Sequence, residues 1–149
     1  MVKFYIIAYK GGDVVGDIVK SFDGEYSHVG LLYPDMIHIA DVNYNQRFKR
    51  RHFNAKFGTY DIIPVWLDEH AANNYIRLKL GSWYDITGIA SFFSDKFKQD
   101  ESKYYCSEIL RDLILFAGDY PILNVYRDKP IKPSELVIAV KGGNYDKQI

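Results

Sequence analysis

The chain carries one cysteine, Cys106, in the segment Tyr104-Tyr105-Cys106-Ser107-Glu108. Far from it in sequence, Tyr26-Ser27-His28-Val29-Gly30 sets a histidine at the start of an apolar run. A thiol becomes a strong nucleophile near neutral pH when its thiolate is stabilised, usually by an imidazole or a helix N-terminus. Cys106 opens a stripe continued by Ile109, Leu110, Leu113, Ile114 and Ala117 at helical spacing, and Gly118 follows as a stop. That places the thiol in a first helical turn, where unpaired backbone N–H groups and the helix dipole favour an anion. The same N–H groups can receive the oxyanion of an acyl-transfer intermediate. A buried structural cysteine would continue the same stripe, so spacing alone does not separate a nucleophile from a small hydrophobe.

His28 is the expected general base. His38, across a tight hairpin, is the expected third member, fixing the tautomer of His28 from the same sheet face. A one-residue shift of that hairpin would offer Asp41 instead.

These side chains need particular elements to bring them together. Residues 27–33 and 36–42 read as two strands joined at Pro34-Asp35. Residues 4–8 read as a buried strand, and Asp13 as the cap of a helix over 14–22. Residues 43–58 are polar and basic and read as an excursion outside the core. A strand follows over 60–65, then helices over 68–80 and 83–93, a charged loop over 94–102, and the Cys106–Ala117 helix. Residues 121–134, with three prolines, read as irregular surface, and 136–140 as a last strand. The order β-α-β-β-β-α-α-α-β implies one α+β domain over 1–149, with an antiparallel sheet packed against helices.

Composition narrows the function classes. The 149 residues are 48% hydrophobic and 26% charged, ordinary for a globular domain. Nineteen basic residues balance nineteen acidic ones, so no net charge draws the chain to nucleic acid or an anionic membrane. The basic cluster Arg47, Lys49, Arg50, Arg51 and His52 reads as a solvated loop. A single cysteine excludes an internal disulfide. No signal peptide or membrane-spanning run is legible, which points to a cytoplasmic protein or one exported by another route. The four histidines lack metal-ligand spacing, so neither a metal nor another cofactor is expected. Aromatic residues reach 16%, with 13 Tyr and 9 Phe, a richness compatible with an aromatic-lined cleft.

Taken together, Ser27-His28-Val29-Gly30-Leu31-Leu32-Tyr33, Met36-Ile37-His38, Tyr84-Asp85, Tyr105-Cys106-Ser107-Glu108 and Lys132-Pro133-Ser134-Glu135-Leu136 resemble the circularly permuted papain-like hydrolases. These are related to the NlpC-type cell-wall peptidases, and the YiiX-like branch is the most similar. The cysteine follows the histidine here, as permutation requires. The resemblance implies a papain-like (permuted) fold, with Cys106 as nucleophile, His28 as base and His38 as the orienting residue. Tyr84 and Tyr105 would be substrate-contacting aromatics. The permuted branch commonly carries Glu at the third place, so His38 departs from it. A peptide or acyl substrate is implied, most plausibly a cell-wall peptide amide, with phage association explaining the missing export signal. A lipid acyltransferase or esterase of the same fold, and a catalytically silent binding or virion module, are the alternatives.

Overall fold

The computed structural model describes residues 1–11, 25–42, 46–54, 59–84, 103–104 and 106–145. Five strands, β1 (Val2–Tyr9), β2 (His28–Leu32), β3 (His38–Asp41), β4 (Lys49–His52) and β5 (Tyr60–Leu67), form one sheet in the order β4-β3-β2-β1-β5. Every neighbouring pair in it is antiparallel. Helix α1 (Glu69–Lys79) follows, then the short parallel pair β6 (Trp83–Tyr84) and β7 (Lys103–Tyr104), helix α2 (Cys106–Ala117), a 3-10 turn (Pro121–Tyr126) and helix α3 (Pro133–Tyr145). The chain is thus α+β, a five-stranded antiparallel sheet with helices.

Strand alternation sorts the side chains into two layers. Phe4, Ile6 and Ala8 of β1, Val29 and Leu31 of β2, Ala40 of β3 and Ile63, Val65 and Leu67 of β5 join the main core with residues of all three helices. The opposite face carries a smaller cluster of Ile7, Leu32 and Ile39, flanked by Tyr5, Tyr9, Phe53 and Tyr60. Pro64 interrupts β5 without breaking the sheet, because β5 is an edge strand and the missing N–H is not needed there.

The helix ends follow local chemistry. Asp68 caps α1 by accepting from the Ala71 N–H at 2.7 Å. Arg77 and Lys79 sit in its last turn, and Gly81 follows with φ 87°, a conformation that favours glycine. Helix α2 runs as its stripe requires, burying Ile109, Leu110, Leu113 and Ile114 completely. Each such side chain contributes about 1.5–3 kcal/mol relative to exposure. At Gly118 the chain closes on Leu67 across an isolated bridge.

Three expectations are corrected. Residues 136–140 lie inside α3 rather than in a strand. The Glu135 carboxylate accepts from the Lys132 N–H at 2.8 Å and Pro133 occupies the first turn, both helix-start features that outweigh the β-branched run behind them. The basic stretch at 49–52 is the edge strand β4, preceded by a fully packed Phe48, and is no mere excursion. The segment 121–134 contributes Leu123 and Ile131 to the core. The helix expected over 14–22 and the loop over 94–102 lie outside the described residues. Of the helix expected over 83–93, residues 83 and 84 are in β6 and the rest lie outside as well.

Candidate active site

Ser27 fastens the chain where β2 begins. Its Oγ donates to the Gly11 carbonyl at 2.5 Å and lies 3.2 Å from the Tyr9 carbonyl, which accepts the Ser27 N–H at 2.8 Å. His28 follows as the first residue of β2, opposite Tyr9 in the ladder. The Tyr9 ring lies against the imidazole, with centroids 5.5 Å apart. Standing at the strand's end, His28 also meets the start of α2, where the Cys106 side chain lies close enough to act on its ionisation. Cys106 itself is buried, 1% exposed, as the first residue of that helix. Its neighbour Ser107 anchors the turn by donating to the Ile131 carbonyl.

The other side of His28 faces Asp41. His28 Nε2 is 3.1 Å from Asp41 Oδ2, and the Asp41 side chain has no solvent exposure. Arg51 grips the same carboxylate in a two-point fork, Nε to Oδ1 at 3.0 Å and Nη2 to Oδ2 at 2.5 Å. An ionised carboxylate only accepts, so Nε2 carries a proton and Nδ1 is the nitrogen left for Cys106.

Ionisation follows from these contacts. Burial alone would lower the His28 pKa, but the Asp41 hydrogen bond, then the hydrogen bond and charge of Cys106, hold it up at about 10. Burial alone would raise the Asp41 carboxyl, yet His28 first and Arg51 second hold it below the ordinary 3.8. The buried phenol of Tyr9 is pushed up to about 12, with the Asp41 charge adding to burial and Arg51 opposing it.

The structure brings together two of the three expected catalytic residues, Cys106 and His28. It does not bring His38 to them. The pairing Leu31↔Ala40 and Leu32↔Ile39 sets His38 opposite Tyr33, on the other sheet face from His28. At 3.3 Å per residue that is about 16 Å along the strand. His38 instead closes the hairpin turn: Asp35 Oδ2 meets its Nδ1 at 2.6 Å, and Asp35 Oδ1 accepts the N–H groups of Ile37 and His38. Asp41 takes the place beside His28, since the register puts it opposite Gly30 and on the His28 face. Tyr84 is placed by its backbone in β6, while its side chain and Tyr105 lie outside the described residues.

Arg51 and Tyr9 carry signals that spacing alone did not reveal. Arg51 lies in a basic run whose composition suggests solvent, and only its alternation with Arg50 marks it as facing inward. Among the described residues no cluster of three or more metal-ligating side chains occurs, and no helix is long and apolar enough to cross a membrane. No family model, curated protein or solved structure matches this chain.

Proposed function

We propose that this chain is a cysteine-dependent hydrolase of amide bonds, built as a permuted papain-like domain. The observation that carries the reading is His28 held between Cys106 and Asp41 at the first turn of α2. A cysteine that merely packs has no reason to meet a histidine whose other nitrogen is tied to a buried carboxylate. The resemblance of the segments around His28 and Cys106 to the NlpC-type cell-wall peptidases supports a peptide amide of bacterial cell wall as substrate.

In this mechanism the Cys106 thiolate attacks the substrate carbonyl, forming a carbon–sulfur bond. The oxyanion is received by backbone N–H groups at the start of α2. The His28 imidazolium gives its proton to the departing amine as the carbon–nitrogen bond breaks, leaving a thioester on Cys106. His28, now neutral, takes a proton from water as it attacks the thioester, and the Cys106 thiolate leaves. Asp41 keeps the Nε2 proton in place throughout.

The test is digestion of purified cell-wall peptides, followed by amine release and by mass spectrometry for a covalent adduct on Cys106. The expected result is amine release by the native chain and none by Cys106→Ala or His28→Ala. A lipid ester serves as the parallel substrate, and turnover of that ester alone would make the enzyme an acyl hydrolase of the same chemistry. No turnover of either, together with Cys106 labelling that ignores His28, would overturn the enzyme reading in favour of a binding module.

A further inference from the structure

We propose that Arg51 is the positioning residue of this site: its guanidinium, seated against Tyr9, holds the Asp41 carboxylate ionised and turned toward His28. The inference rests on the hydrolase reading above.

Geometry carries it. In the β3–β4 ladder Lys49 stands directly opposite Asp41, and Arg51 stands opposite Ile39. Lys49 is exposed, yet the arginine two residues away reaches diagonally to place Nε and Nη2 on both carboxylate oxygens, at 3.0 Å and 2.5 Å. Only a planar fork makes that two-point contact, and lysine would supply a point charge without the orientation. The Tyr9 side chain, whose ring lies against His28, sits close enough to Arg51 for each to act on the other's ionisation. Tyr9, Arg51 and Asp41 therefore form a loop that starts and ends on the same imidazole.

The physical need is plain. A carboxylate with no solvent exposure takes up a proton unless positive charge and donors surround it. A protonated Asp41 no longer fixes the Nε2–H tautomer and no longer stabilises an imidazolium. Among the described residues, the titratable groups facing the Asp41–His28 pair are Tyr9 from β1, Lys49 and Arg51 from β4 and Cys106 from α2, with Tyr60 of β5 beside Tyr9. Of these, Arg51 is the cation bonded to the carboxylate, while Lys49 stays exposed to solvent.

The experiment is the rate of Cys106 alkylation by iodoacetamide in the folded full chain, from about pH 4 to about pH 9, because alkylation reads thiolate formation without needing a substrate. Arg51→Gln should move the acid limb of the profile up by about one pH unit, which is about tenfold slower labelling on that limb. Arg51→Lys should fall between it and the native chain. An unmoved acid limb in Arg51→Gln, or a loss equal at every pH, overturns the positioning role. If Arg51→Gln does not fold, Arg51→Lys is read by the same criterion. His28→Ala separates the two claims. If it labels like the native chain, the hydrolase reading itself fails. If it slows labelling while Arg51→Gln leaves the profile unmoved, only the role of Arg51 falls.

Discussion

Gly30 and Asp41 face each other across β2 and β3 so closely that a β carbon on Gly30 would stand 3.1 Å from Asp41 Cβ and 2.7 Å from Ile39 Cδ1. The glycine in Ser27-His28-Val29-Gly30 thus has a steric task two residues from the imidazole. Without a side chain there, Asp41 can lean along the sheet toward His28. Gly30→Ala should force Ile39 and Asp41 aside, costing about 1–3 kcal/mol by overpacking. It should also slow Cys106 alkylation. Chemical denaturation and labelling rate check the two effects, and full reactivity in a folded Gly30→Ala chain would contradict the account.

The two candidate third residues separate cleanly by mutation. His38→Ala removes a partner of Asp35 at the hairpin turn and should leave Cys106 reactivity unchanged. Asp41→Ala should slow it by about tenfold or more, about 1.4 kcal/mol in the barrier. Equal losses in both variants would mean the hairpin register is wrong.

Stability should respond to pH through the same pair. His28 rises from 6.5 to about 10 on folding, so its contribution is fully present below about 6.5 and is lost as pH climbs toward 10. Asp41 shifts the other way: its contribution is present above about 3.8 and is lost as pH falls through its lowered folded value. Thermal unfolding across this range should therefore show highest stability between the two ordinary values, with a decline on the alkaline side. His28→Gln should flatten that alkaline decline relative to the native chain. An identical slope in the variant would assign the decline to other groups.

Helix α3 can be tested at Gly143, where an added β carbon would meet the Tyr120 ring at 2.6 Å. Alanine gains about 0.5–1 kcal/mol in an exposed helix interior over glycine. Overpacking costs about 1–3 kcal/mol, so Gly143→Ala should be net destabilising. Tyr120→Phe should lose stability too, because the hydroxyl accepts from the Trp66 N–H at 2.9 Å and donates to Asn144 at 2.8 Å. A Gly143→Ala chain more stable than the parent would remove the reason for that glycine.

Local pattern determined much of this chain. The stripe from Cys106 to Ala117 and the stop at Gly118 specify a helix and the place of its first turn. The Asp68 cap and Gly81 bracket another, and alternation marks β2 as a strand that starts at His28. These are short-range preferences of the backbone, legible within a dozen residues. Residues 136–140 show the limit, since a β-branched run reads as a strand until Pro133, Glu135 and the packing against Tyr120 make it helix. The partner of His28 depended on the tertiary structure alone. A strand has period two, so one step of register exchanges His38 for Asp41 and turns each to the other face. No residue near the hairpin encodes that step by itself. It is decided by which side chains can enter the core, with Ala40 and Val42 going in under the helices and Asp41 left to meet His28. Arg51 was hidden for the same reason. Its charge suits solvent, and only the pairing of β4 with β3 brings it across to a carboxylate that has lost its water.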